Sequence, residues 1–457
     1  DFIVQGEAIE LARRLAKDFK TAFYILDRKR GIARVLLNAE EKDLTLDFAD
    51  FRGDSLSEDL RQRDFTINAM AVEILHPDAL IDPLHGEDDL HYRVIRACSS
   101  TSFQEDAVRC LRAVRFSHQF DFRVEMNTWT SLREAVQKLP HSSIERQRDE
   151  LFHILSLKDI KTSVQELMDV GILEILLPEL IPLVDYPQAA HHTHDAWTHT
   201  LAAMVYCSQL LVWLSPDRDE EPRNKFLKTA TEQLEPYRDF LRAYFNNRDY
   251  KPRPLGELFL FAALYHDVGK PATRSESGKE IQFIDHELRS AEMAAVRARE
   301  LALSNHEIDF IQAFIRNHML IHPLAKQANL DVREAAYHYY QSAGSAGVAD
   351  CLFSLADLLS TYEENMNLSR WEAGVRMVCS FLDIWVHHYQ EVIDPVLLLD
   401  GEEIKKTFNL EEGLLIGKIK TELKFAQAVG KVKTKPEAIE FVQSWLNYLK
   451  GDQNECG

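Results

Sequence analysis

A change of hydrophobic period part-way along the chain restricts the fold more than any other feature. From Asp1 to about Ile95 the apolar residues fall in short β-type runs, DFIV, AFYIL, ARVLL, LTLDFADF, AVEIL and ALIDPL, with one helical stretch around Glu7 to Phe19. From about Ser102 onward they recur at helical spacing, as in Ala107, Val108, Leu111 and Val114, then Leu151, Ile154 and Leu155. A period of two demands a pleated strand and a period of 3.6 an amphipathic helix, so the two parts cannot share one architecture. The expected fold is α+β: a small α/β head holding all of the sheet, then an all-α body. No repeat of fixed period is present, which argues against a solenoid.

With 457 residues, 46% of them apolar, the chain can bury several cores, and disorder is excluded. Leu258 to Tyr265, the longest apolar run near the middle, is far short of the ~20 residues a membrane span needs, so no membrane partner is expected. The cysteines Cys98, Cys110, Cys207, Cys351, Cys379 and Cys456 form no CxxC pair, which argues against a zinc ribbon or a disulfide framework and fits a reducing cytoplasm. Ser215 to Lys225, SPDRDEEPRNK, reads as an exposed loop. The chain opens on Asp1 and runs straight into a strand, so it is read as a fragment. Nothing in it signals an oligomeric state. A net charge of −20 counts against a nucleic-acid partner on average, but phosphate binding is local. Arg109, Arg112 and Arg115, and the lysines from Lys418 to Lys435, supply local basic clusters.

Asp1 heads one strand, and Asp47 and Asp50 lie in another at a spacing read as placing both on one face. Acids clustered at strand ends can hold Mg²⁺, although solvated edge residues look the same in sequence. The next segment, RQRDFTINAM from Arg61 to Met70, is far more specific. It is followed by IDPLHGEDDL with Asp82, Gly86 and Asp89, by FQEDAVRCLRAVRF from Phe103 to Phe116, and by ERQRDELFHIL from Glu145.

In this order the four segments resemble the motifs of the class II tRNA nucleotidyltransferase and bacterial poly(A) polymerase family. The resemblance implies in-line attack by an RNA 3′-hydroxyl on the α-phosphate of CTP or ATP, with Mg²⁺ at the head and tRNA as the RNA partner. It makes Asp1 the second aspartate of an Asp-x-Asp pair whose first member lies upstream, and Asp47 an additional carboxylate near the metals. Arg63, Asp64 and Asn68 would line the sugar and phosphates of the nucleotide. Asp106 and Arg109, at i and i+3 of one helix, would hydrogen-bond the edge of the incoming base, and Arg112 and Arg115 would meet triphosphate or RNA backbone. Two departures stand out. Gln62 occupies a place where the family commonly has arginine, and only GDSLSE separates Arg52 from Asp59, where CCA-adding members carry a longer loop with Tyr, Gly and Arg. That loop is linked to the switch from C to A addition, so CC-only addition is a live alternative.

A second constellation lies in the helical part. His199, the His266–Asp267 pair followed by Gly269 and Lys270, and Asp357 resemble, in order, the ligands of HD metal-dependent phosphohydrolases, and His286 and His318 are candidates for a second metal. Mixed imidazole and carboxylate donors suit Mn²⁺, Ni²⁺, Fe²⁺ or Mg²⁺. His191, His192, His194, His306 and His322 are read as structural. The resulting organisation is a head at 1–95, a helical neck at 96–160, an HD domain at 161–365 and a helical tail at 366–457 that would bind tRNA. The leading expectation is a tRNA 3′-end nucleotidyltransferase. Its rivals are a poly(A) polymerase, a phosphodiesterase or phosphatase whose head only grips RNA, and a tRNA-binding module without activity.

Overall fold

The computed structural model describes residues 1–39, 42–189, 193–216, 222, 224–247, 253–277 and 280–455. His191, His192, Cys456 and most of the charged loop read at 215–225 lie outside the described residues. The chain divides into two compact units, Asp1–Ser143 and Ile144–Gly457, a boundary that falls within the segment read as the neck.

In the first unit, strands β1 (Phe2–Val4), β2 (Ala22–Asp27), β3 (Ile32–Ala39) and β4 (Lys42–Asp50) form one sheet in the order β1-β4-β3-β2. β1 runs parallel to β4 and the other pairings are antiparallel. Helix α1 (Ala8–Asp18) follows β1 and covers one face of the sheet. Its Ala8, Ala12 and Ala16 recur every four residues, giving a stripe without bulk that packs on Ala33, Val35 and Phe48. Asp50 lies on the same face as Phe48, and its Oδ1 accepts the Ala8 N–H at 2.8 Å. Asp47 and Asp50 therefore do not share a face as the sequence reading had it. Three residues apart on a period-two strand, they point to opposite sides of the sheet.

After helix α2 (Leu56–Arg61) come a hairpin of β5 (Ala71–Glu73) and β6 (His76–Ile81), then helix α3 (Gly86–His91). The Asp82 carboxylate accepts the N–H groups of Gly86 and Glu87 at 2.8 and 2.9 Å, capping α3. A Cβ on Gly86 would sit 2.2 Å from the Thr66 carbonyl oxygen, so only glycine lets this helix start so close to the RQRDFTINAM segment.

Among its described residues the second unit is helical except for one ribbon, Arg274–Ser277 paired antiparallel with Glu280–Phe283. The sheet is thus not confined to the first part. The strand Glu-Ile-Gln-Phe alternates polar and apolar residues, a period-two signal too short to register against the long helical background. Helices Ala196–Leu214, Leu255–Tyr265, Asn305–Asn317 and Ala346–Tyr362 pack on one another at the centre. Leu255–Tyr265 and Ala346–Tyr362 are buried nearly all round, as their predominantly apolar composition requires. A separate apolar cluster including Leu399, Ile404, Ile419, Leu423 and Val442 holds the tail together. No single helix among the described residues is long and apolar enough to cross a membrane.

One buried carboxyl belongs to this core. Asp350 is fully buried, with Oδ2 2.8 Å from the Tyr339 hydroxyl, which also lies 2.9 Å from the Gly347 carbonyl oxygen. One hydroxyl proton cannot serve two acceptors. A protonated Asp350 donating to Tyr339, with Tyr339 donating to Gly347, satisfies all three groups. Burial accordingly pushes this carboxyl up to about 8. Because its folded value lies above its unfolded one, the stabilisation from its proton is complete below about pH 4 and is lost as pH rises through about 8. Asp350→Asn, which is always neutral, should match the parent Tm near pH 4 and exceed it by a margin that grows up to about pH 8 and is constant beyond. Calorimetry giving parallel Tm–pH curves for the two proteins would refute this.

Candidate active sites

In the first unit the register sets Phe2 opposite Phe48 on parallel neighbours, which brings residue 1 alongside Asp47. Arg34, the register partner of Asp47 on β3, donates Nε–H to Oδ1 at 2.7 Å and Nη2–H to Oδ2 at 2.8 Å. This pairing holds the Asp47 carboxyl below the usual range. Asp47 is thus an ion-paired residue beside Asp1 and not an open ligand, and a cation there would have to share it with Arg34.

The RQRDFTINAM segment builds a dense network. Arg63 donates through Nε and Nη2 to Oδ2 of the buried Asp59 at 2.9 and 2.8 Å, while Asp59 Oδ1 accepts the Arg52 N–H. Gln62, the departure noted above, donates Nε2–H to the Arg52 carbonyl at 2.7 Å and so ties the end of β4 to α2. Asp64 is buried. Its Oδ2 accepts from Arg112 Nε and Nη2 at 2.8 and 2.6 Å, and its Oδ1 from the Phe65 N–H at 2.9 Å and Asn68 Nδ2 at 3.4 Å. Burial alone would raise this carboxyl, but Arg112 outweighs it and the net shift is downward.

Asp106 and Arg109 are not neighbours on one helix. Helix α4 (Ser102–Glu105) stops, Asp106 is extended (φ −150, ψ 97), and helix α5 (Val108–Phe120) begins two residues later. The Asp106 carboxylate accepts the Val108 N–H at 3.3 Å, the competition with backbone that makes Asp a poor interior residue and a good helix starter. Arg109 is buried and turned inward. It donates to the Ser102 carbonyl and hydroxyl at 3.1 and 2.7 Å and to the Gln62 carbonyl at 2.7 Å. Arg63, Asp64, Asn68, Arg109 and Arg112 therefore meet in one place. Arg115 instead bonds Gln119 and lies over the Phe116 ring at 4.3 Å.

In the second unit the sequence constellation converges completely. His199 comes from Ala196–Leu214, His266 and Asp267 from the end of Leu255–Tyr265, His286 opens His286–Glu300, His318 closes Asn305–Asn317, and Asp357 lies on Ala346–Tyr362. His199, His266 and Asp357 offer ligand atoms within 4.8 Å of one another, as do Asp267, His286 and His318. Asp267 joins the two groups, with Oδ2 3.1 Å from His266 Nε2 and Oδ1 3.2 Å from His286 Nε2. Three of the rings are oriented alike. Nδ1 of His266, His286 and His318 lies 2.7, 2.9 and 2.7 Å from the carbonyl oxygen three residues earlier, which fixes the proton on Nδ1 and turns the Nε2 lone pair inward.

The electrostatics match a ligand set. Burial, then the neighbouring His266 and His286, push His318 down to about 3, so it is a neutral donor. Asp267 and Asp357 stay ionised well below the usual range: burial opposes this, but His266 and Lys270 override it for Asp267, and His199 and His322 for Asp357. Nε2 of His286 and of His318 is buried without a hydrogen-bond partner, a costly arrangement in a folded core. Two divalent cations fit this donor set. Gly269 makes the close approach possible, since a Cβ there would lie 2.6 Å from the His286 carbonyl oxygen. The centre faces a cavity of ≈ 960 Å³ also lined by Lys270, Phe283, Lys326, Tyr362 and Arg370.

Of the histidines read as structural, His306 is exposed and His194 pairs with Glu363 at 2.8 Å. His322 was misjudged: its Nε2 lies 2.9 Å from Asp357 Oδ2, at the mouth of the same cavity. Its spacing of four from His318 was the available signal.

Comparison with known proteins gives three family matches along the chain: the poly A polymerase head domain over residues 1–96, the probable RNA and SrmB-binding site of polymerase A over 121–183, and the HD domain over 242–362. An A-adding tRNA nucleotidyltransferase of Deinococcus radiodurans is 27% identical over 96% of this chain and 90% of its own length. A CC-adding tRNA nucleotidyltransferase of Thermus thermophilus is 29% identical over 96% of this chain and 86% of its own. Among solved structures, a complex of CCA-adding enzyme with CTP matches with a TM-score of 0.59 at 19% identity, over 97% of this chain and 86% of that one.

The Asp64–Arg112 pair is directly testable. Arg112→Met strands a buried carboxylate and should cost about 3 kcal/mol in a urea titration, with Asp64→Asn added to it recovering most of the loss. A single-variant loss within about 0.5 kcal/mol would mean the pair behaves as an ordinary surface bridge.

Proposed function

Because the chain belongs to the class II tRNA nucleotidyltransferase and bacterial poly(A) polymerase family with an HD domain, we propose that it adds C residues to the tRNA 3′ end from CTP and stops after two. The observation carrying the CC-only reading is the connection between β4 and α2. It is five residues long, Phe51 to Ser55, and both ends are fastened: Asp54 N–H to Glu58, Ser55 Oγ capping α2, and Arg52 N–H to Asp59. A segment tied this way offers no long loop of the kind that the resemblance links to the switch from C to A. The two relatives, A-adding and CC-adding, are about equally similar, so it is this local geometry that favours the CC-adding reading.

Asp1, beside Asp47 in the sheet, is the carboxylate that would hold Mg²⁺ at the head. Bound there, the ion lowers the pKa of the RNA 3′-hydroxyl and offsets charge on the departing pyrophosphate. Arg63 and Arg112 present fixed guanidinium groups to phosphate, each positioned by a buried aspartate. Asn68 is held against Asp64 near the sugar. Asp106 and Arg109 supply an acceptor and a donor fork for the base edge, with Arg109 exchanging the Gln62 and Ser102 carbonyls for nucleotide. The lysines between Lys418 and Lys435 would meet tRNA backbone, in a cytoplasmic setting.

For the second unit we propose a two-metal phosphohydrolase centre held by His199, His266 and Asp357 on one side and Asp267, His286 and His318 on the other. The inward Nε2 atoms favour this reading over a purely structural cluster. A transition ion suits the imidazole donors, and Mn²⁺, Ni²⁺ or Fe²⁺ bound there would polarise a phosphoryl oxygen and activate water. Lys270, 2.5 Å from Asp267, is placed to neutralise an anionic ligand.

Two measurements test these assignments. Full-length protein incubated with tRNA ending at the discriminator base should extend it by two residues with CTP, and ATP should add nothing further. Growth by three only with both nucleotides would overturn CC-only addition, and a long A ladder would identify a poly(A) polymerase. Mn²⁺ or Ni²⁺ at a hundredfold excess over Kd should stabilise the protein by about 2.7 kcal/mol, an effect His266→Ala should abolish in thermal melts.

A further inference from the structure

We infer that His322 is the positioning residue for Asp357 in the HD centre, an inference that rests on the metal reading of that centre. Asp357 presents its two oxygens to different neighbours. Oδ1 faces the ligand group, 3.1 Å from His199 Nε2 and 3.8 Å from His266 Nε2. Oδ2 faces away from it and meets His322 Nε2 at 2.9 Å. A carboxylate on a helix can rotate about its terminal torsion, which is broad and two-fold, so a ligand of this kind needs its outer oxygen fixed if the inner one is to stay on a cation. Asp267, by contrast, turns both oxygens to the ligand groups, Oδ2 to His266 and Oδ1 to His286, so only Asp357 has an outer oxygen for a neighbour to fix.

The placement of His322 supports a dedicated role. It sits on a separate four-residue helix, Ile321–Leu324, just beyond His318, in a short segment that also lines the cavity through Met319, Ile321, Ala325 and Lys326. Its side chain is 18% exposed, so it opens to the cavity while the ligands His199, His266 and His318 are sealed from solvent. His322 meets Asp357, a member of the group with His199 and His266, and not a member of the group of Asp267, His286 and His318.

The test is a Co²⁺ titration of the full-length protein, followed by equilibrium dialysis and by the visible absorption that imidazole ligation produces, which separates this centre from carboxylate sites in the head. The parent should take up two Co²⁺ at imidazole sites. His322→Ala should weaken one of them about 10–100-fold and leave the other unchanged. His322→Gln, which keeps an N–H donor, should restore affinity to within a few-fold. A variant that titrates like the parent, or one that weakens both sites equally, would overturn the positioning role and leave the metal reading standing. A parent that takes up no Co²⁺ with imidazole absorption would overturn the metal reading and this inference together. Should the alanine variant fail to fold, His322→Gln and His322→Glu give the same decision: they match in length, and equal affinities for the two would overturn the role of the N–H donor.

Discussion

The second unit depends on charge being held out of water around Asp267. A buried carboxylate is costly unless opposite charge lies beside it, and here the Lys270 ammonium is 2.5 Å from Oδ2, while the Nε2 atoms of His266 and His286, within 3.2 Å, are placed to share a cation with it. The rest of the arrangement follows from meeting that requirement. Helix Leu255–Tyr265 must end where the His266–Asp267 pair enters the interior. Gly269 must lack a side chain so that His286 and Ser290 can close in, and the Gly269 N–H donates to Ser290 Oγ at 2.8 Å. The apolar helices around the centre, with Phe353 against His266 and His318, supply the low dielectric that makes each of these interactions strong.

The first unit applies the same physics to arginines. Asp59 and Asp64, both buried, fix Arg63 and Arg112, so two guanidinium groups are pre-oriented before any phosphate arrives. Preorganised charge of this sort needs no reorganisation when a triphosphate binds. Gln62 joins the same scaffold in a different way. Where a cation would add charge to the pocket, its amide fastens Arg52, while its backbone carbonyl accepts from Arg109. The departure from the family pattern thus reads as a mechanical tie between β4, α2 and Arg109.

Legibility from sequence differed by residue. The order of the motifs and the identity of the HD ligands could be read because each combines a rare residue type with fixed local spacing, as in His266–Asp267 followed by Gly269 and Lys270. The strand runs, including LTLDFADF, were also plain. Three readings failed at short range, where the backbone departs from its regular period. Asp47 and Asp50 were put on one face of a strand that alternates. Asp106 and Arg109 were put on one helix that in fact breaks at Asp106. The ribbon at Arg274–Phe283 was absorbed into a helical body. His322 was missed for a different reason: its contact is with Asp357, 35 residues away in the chain.

The sequence by itself determined the architecture, an α+β head before a helical body, and the residue types that gather at both candidate sites, because periodicity and ordered motifs are local properties that survive without coordinates. Tertiary structure alone decided how the ligands divide into two groups joined by Asp267, which arginine meets which aspartate, and that Arg34 shares Asp47 with whatever binds beside residue 1. These depend on distances between residues far apart in the chain, and such distances are set by packing.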